Sequence, residues 1–150
     1  MKRISILIAI LSVTAISCKK NKTPDQVTLK SVTVTDFPQM NGAVTWDAAD
    51  DADLYIKIAE SNVVIWDAPS YFVNASNTTD YAFTPATPIT ITTLTNEVQI
   101  DFYDWEDGIS DEWMGGVEFF FDKYKEDKES ALTLTSGTFT IDLVLEWGNQ

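Results

Sequence analysis

The sequence predicts an all-β fold, an antiparallel Greek-key β-sandwich of about eight strands, on three observations. Its apolar residues recur at every second position rather than at helical spacing. Turn chemistry falls between the alternating runs, at Pro38 to Gly42, Pro69-Ser70, Pro85 to Pro88 and Ser136-Gly137. No segment carries the 3.6-residue apolar period of an amphipathic helix. Short strands punctuated in this way build two packed antiparallel sheets.

Taken in order, residues 27–36 alternate but slip phase near Ser31 and Val32, as an inserted residue does at a β-bulge. Leu54, Ile56 and Ile58 alternate with Tyr55, Lys57 and Ala59. Weaker strand signals lie at 63–66, 81–84 and 89–94. Val98, Ile100 and Phe102 alternate clearly, as do Val117, Phe119 and Phe121. The charged run from Asp122 to Ser130 reads as a solvated connection, helix or loop. After a weaker run at 131–135 comes the clearest strand, 138–147. There Phe139, Ile141, Leu143, Leu145 and Trp147 alternate with Thr138, Thr140, Asp142, Val144 and Glu146.

With 150 residues, 45% of them apolar, the chain has material for one domain with a real core. A mean hydropathy of -0.06 suits a globular protein. Ten basic residues face 23 acidic ones, for a formal charge of -13. That balance excludes nucleic acid as a partner, because no basic surface exists to displace counterions from phosphates. It favours cations, since crowded carboxylates repel one another until something neutralises them. Histidine is absent and cysteine occurs once, which removes histidine-dependent nucleophilic catalysis, histidine-ligated zinc and any internal disulfide.

Residues 1–17 open with Lys2 and Arg3 and continue as an apolar run from Ile4 to Ile16, too short for a comfortable membrane span and flanked like an export signal. The run ends in Ala15-Ile16-Ser17-Cys18, which resembles the lipobox of bacterial lipoproteins. That resemblance implies a signal peptide over 1–17, lipidation of Cys18, and a lipidated tether over 18–26 leading to a domain at 27–150. Several acyl chains make a firm membrane anchor. Lys19 is not the aspartate that holds many such proteins at the inner membrane. The resemblance therefore implies an outer membrane lipoprotein, on the periplasmic or the surface face. Loss of the leader removes two basic residues and no acid, so the remainder is more negative still.

The acidity is concentrated. Asp47, Asp50, Asp51 and Asp53 form one window, and Asp101, Asp104, Glu106, Asp107, Asp111 and Glu112 another, together 10 of the 23 acids. Distant loops converge at one end of a sandwich, and calcium takes about six to eight oxygens from flexible loops of this kind. Neither window has the contiguous twelve-residue pattern of an EF-hand.

Spacing within the windows resembles the C-two domain, the calcium- and lipid-binding sandwich of synaptotagmins and conventional protein kinase C. In that family one aspartate is followed six residues later by a second that opens a strand with Asp-Pro-Tyr-Val-Lys. Here Asp47 is followed by Asp53, with Leu54-Tyr55-Ile56-Lys57 after it. In the later loop Asp104 and Glu106 fill the family's acid pair, Glu112 its third acid and Gly115 its closing glycine. The resemblance implies a calcium site of Asp47, Asp53, Asp104, Glu106 and Glu112, with Asp107 and Asp111 as possible additional ligands. It departs from the family in the glutamates at 106 and 112, in Leu54 where proline is usual, and in lacking a basic lipid-facing cluster.

Other residues in these windows have plainer readings. Asp50, Asp51 and Asp101 read as solvated, while Trp46, Trp105 and Trp113 read as packing residues. Ile109, at the loop tip, either enters a membrane or caps its loop. The functional expectation is a lipid-anchored, calcium-binding C-two-like module of the cell envelope. It would be non-catalytic and would act in calcium-dependent membrane or surface binding, meeting phospholipid head groups. The alternative is a structural or adhesive sandwich lipoprotein that binds a protein or a glycan, with calcium only structural or absent. A glycosidase with paired carboxylates is disfavoured, because the acids lie on adjacent loop tips and no cleft-forming insertion is present.

Overall fold

The structure is a computed structural model and describes residues 22–46 and 51–150. The leader, Cys18, Asp47 and Asp50 lie outside the described residues.

Eleven strands appear among the described residues: β1 (Gln26–Asp36), β2 (Met40–Asn41), β3 (Val44–Thr45), β4 (Leu54–Glu60), β5 (Val63–Asp67), β6 (Tyr81–Phe83), β7 (Ile89–Ile91), β8 (Val98–Asp104), β9 (Glu112–Phe119), β10 (Ala131–Ser136) and β11 (Phe139–Gly148). One sheet runs β10-β11-β1, and β6 and β7 share the other edge of β1. The second sheet runs β5-β4-β8-β9, and β2 pairs β3 in a short hairpin. All pairings are antiparallel. This is the all-β antiparallel sandwich that the alternation predicts.

The phase slip in β1 has a physical cause. Val27 and Leu29 are buried, then Val32 and Val34. Pairing with β11 jumps from Leu29 to Ser31, so Lys30 is the extra residue of a bulge. A one-residue insertion flips the side-chain phase, and the slipped sequence keeps apolar side chains on the core face either side of it. Lys30 instead pairs with Glu146 on β11.

Ile56, Ile58, Ile100 and Phe102 of one sheet and Ile141 and Leu143 of the other are fully buried in one core. Each such side chain contributes about 1.5–3 kcal/mol of burial. Phe139 meets Phe102 across the sandwich at a centroid distance of 4.8 Å.

Two segments differ from the sequence reading. Pro38 to Gly42, read as a turn, leads into the β2–β3 hairpin, whose strands are too short to show a period. The predicted strand at 117–121 begins earlier, at Glu112, because the segment before Val117 bulges and loses its alternation. The charged run after Asp122 is a loop entered through a single 3-10 turn at Phe121–Lys123, anchored by the buried Phe121.

Candidate metal centre

β4 and β8 pair so that Leu54, the first residue of β4, lies opposite Asp104, the last of β8; Asp104 lies opposite Glu112 of β9. The loops that carry the two acidic windows therefore leave the sheet at one end, as a shared site requires.

Asp104 is fully buried, the only charged side chain among the described residues to be so. It continues the inward series Val98, Ile100, Phe102 on β8, and alternation alone aims it at the core. Its Oδ1 accepts a hydrogen bond from the Asp53 backbone N–H at 2.7 Å. The Asp53 carbonyl in turn accepts from the Trp105 N–H at 2.8 Å. These bonds tie the two acidic windows together around one carboxylate.

A third loop joins them. Leu54 and Phe72 exchange backbone hydrogen bonds at 2.8 and 2.9 Å, and the Ala75 N–H reaches the Ala52 carbonyl at 2.7 Å. The Asp53 side chain caps this loop, its Oδ1 accepting from the Asn74 N–H at 2.9 Å. Residues 72–75 carry no acid, so charge patterning gave no reason to place them here.

The remaining candidates disperse. Glu112 is exposed and its Oε1 accepts from Asn41 Nδ2 of the β2–β3 hairpin at 2.7 Å. Asp111 lies on the opposite face of the sheet, where its Oδ2 accepts from the Tyr55 hydroxyl. Tyr55 points outward because it alternates with the core-facing Leu54 and Ile56. Burial pushes the Tyr55 phenol up, and the hydrogen bond to Asp111 pushes it further. Glu106 is half-buried, and its N–H lies 3.4 Å from Asp111 Oδ1. Asp107 is exposed at the loop tip, beside Gly108 and the exposed Ile109. Among the described residues no three acidic side chains gather as a metal-binding group. The structure thus brings Asp53 and Asp104 together, separates Asp111 from them, and leaves Asp47 outside the description.

Gly115 has a clear structural role. Trp113 pairs with Tyr103 and Gly115 with Phe102, so Met114 is the extra residue of a bulge. Gly115 has φ +135, and a Cβ there would sit 2.6 Å from the Phe139 ring. Only glycine fits both that backbone and that contact.

Of the three tryptophans, Trp46 and Trp105 pack as expected and Trp113 does not. Trp46 donates to the Pro38 carbonyl at 2.8 Å, and Trp105 stacks on Tyr71. Trp113 is 61% exposed but donates to Asp101 Oδ1 at 3.1 Å, so Asp101 has a definite partner on the outer face.

The sequence matches no protein-family model and no curated protein. Among solved structures it is similar to human GIVD cytosolic phospholipase A2, at 16% identity and a TM-score of 0.56, over 82% of this chain and 16% of that one. It is similar to the calcium-bound pair of C-two domains of extended synaptotagmin 2, at 16% identity and a TM-score of 0.56, over 83% of this chain and 46% of that one. A third structure, of a single C-two domain, is 14% identical with a TM-score of 0.55, over 81% of this chain and 96% of that one. The chain therefore spans less than half the length of the first two. At such identities the likeness is one of fold: the chain is a C-two-like antiparallel β-sandwich.

Proposed function

We propose that this protein is a lipid-anchored, calcium-binding C-two-like module of the cell envelope, without catalytic activity. One observation carries the calcium reading: a fully buried carboxylate, Asp104, stands at the end of the sandwich where acidic loops meet, with Asp53 bonded to it through the main chain. Carboxylate burial is costly, and a cation at the loop end would offset it. Asp53 and Asp104 would hold the ion, with Asp47 as the third carboxylate and Glu106 as a further candidate; Glu112 would reach it only by exchanging its contact with Asn41.

Extracellular calcium modules bind at about 0.1–1 mM. At ~10 mM calcium, mass action then stabilises the fold by about 1.4–2.7 kcal/mol. The melting temperature should rise with calcium in the wild type and stay flat in an Asp53→Ala, Asp104→Ala double variant. An unchanged wild-type melting curve up to ~10 mM, about ten times the weakest such affinity, overturns the calcium reading. The anchor is tested separately: the wild type should fractionate with outer membranes and Cys18→Ser with soluble protein.

A second reading is an adhesive sandwich that binds a glycan or a protein, with calcium only rigidifying loops. It is favoured by a cleft on the outer face of the β5-β4-β8-β9 sheet, lined by aromatic rings and charges of both signs.

A further inference from the structure

That cleft lies on the face of the sheet opposite Asp104. Its volume is about 460 Å3, within the ~300–1,000 Å3 usual for small-molecule sites. Tyr55, Lys57, Asp67, Tyr71, Trp105 and Asp111 supply most of its chemistry. The rings of Tyr71 and Trp105 stack at 4.2 Å and 8°, and those of Tyr55 and Tyr103 at 5.3 Å and 27°. Lys57 Nζ sits 4.7 Å from the Tyr103 centroid and 5.4 Å from that of Tyr55. The same nitrogen is 3.8 Å from Asp67 Oδ2.

The mixture of charges selects the ligand. A phosphate or other anion would face Asp67 and Asp111 with one lysine to hold it, and that lysine is already paired. An organic cation would be drawn by Asp67 and Asp111 but would find the faces of Tyr55 and Tyr103 covered by the Lys57 ammonium, which denies it a cation–π contact there. A neutral sugar meets neither obstacle. Each of its hydroxyls both donates and accepts, so neighbouring hydroxyls can be shared between a carboxylate and an ammonium less than 4 Å apart. The carbon face of a pyranose is apolar and flat enough to lie on an aromatic ring.

We propose that this cleft is a binding site for a neutral glycan, with the outward face of the Tyr71–Trp105 stack as its platform and Asp67, Lys57 and Asp111 as its hydroxyl partners. The proposal deepens the adhesive reading and does not depend on calcium. Binding here fixes a sugar through one aromatic wall and a few polar groups, so weak, multivalent adhesion to a repetitive polymer is the expected mode.

The test is calorimetric titration of the full chain, held in a detergent without a sugar head group. Probes are cellotriose, maltotriose, mannotriose, xylotriose and chitotriose, with choline and inositol hexakisphosphate as charged comparators. At least one neutral trisaccharide should bind saturably. Ser70→Trp, which fills the cleft from an exposed position, and Asp67→Ala should each weaken it by about tenfold or more. Both variants should keep the wild-type melting temperature and its calcium response. No saturable heat from any trisaccharide overturns the proposal, as does a charged comparator binding in their place or trisaccharide binding that survives Ser70→Trp. Because the calcium response is read on the same samples, loss of one property without the other identifies which reading has failed.

Discussion

Asp104 and Tyr55 lie near the same end of the β4–β8 pair but face opposite ways, and each makes a residue-level prediction. Replacing Asp104 with alanine removes the acceptor for the Asp53 N–H. In the absence of calcium, Asp104→Ala strands a part-buried donor worth about 1–3 kcal/mol but also relieves the burial of a carboxylate, so urea denaturation should show a net loss below that range. Tyr55 sets an alkaline limit. Its pKa is raised by burial and by Asp111, and that of Tyr103 by burial and by Asp101. An unfolded tyrosine ionises near ~10, while the folded protein still holds these two protons. The unfolded state therefore binds fewer protons above that pH, and stability falls as pH rises. Their contribution is complete below ~10 and is lost progressively above it. An alkaline denaturation series should show this fall, and Tyr55→Phe should make it shallower.

At the scale of the element, β9 shows how sequence pattern and structure part company. Alternation reveals its second half, Val117 and Phe119, but not its first. The bulge at Met114 breaks the period, and Gly115 lets the strand pass close beneath the Phe139 ring. Gly115→Ala should destabilise the fold by roughly 1–3 kcal/mol through backbone strain alone. Phe139→Leu in the same background should recover only the part due to the ring contact. Both are read from urea midpoints, with an unaltered slope showing that the folded state is otherwise kept. The same contrast explains β2 and β3. Two-residue strands cannot display a period, and the hairpin is recognised only through its contacts, such as that of Asn41 with Glu112. By comparison β11, with ten residues and an unbroken alternation on its core face, was legible to within a residue at either end.

For the whole molecule, a formal charge of -13 acts against compactness, since like charges are brought together on folding. Raising sodium chloride from ~0.01 to ~0.1 M shortens the Debye length from about 30 to about 10 Å, and should raise the melting temperature of wild type and double variant alike. Calcium at matched ionic strength should add a further rise only where Asp53 and Asp104 are present. A calcium effect equal to that of sodium would be screening and nothing more.

What the sequence determined by itself was the architecture. Side chains alternate across a strand by geometry, so a two-residue apolar period, a one-residue slip in β1 and turn residues between the runs are direct records of two antiparallel sheets. It also located the acids, and the alternation legible in β8 runs on to Asp104. Which acids meet was decided only by the tertiary structure. Glu112 is in register with Asp104, yet its side chain is engaged by a hairpin residue 71 positions earlier. Asp111 follows Tyr55 to the far face. The outer-face cleft was hidden for the same reason, since Tyr71 and Trp105 stack across 34 positions of chain. Spacing along a strand fixes the face on which a residue lies, but contacts between loops depend on how the sheets twist and where distant segments cross. That information is carried by the folded chain as a whole.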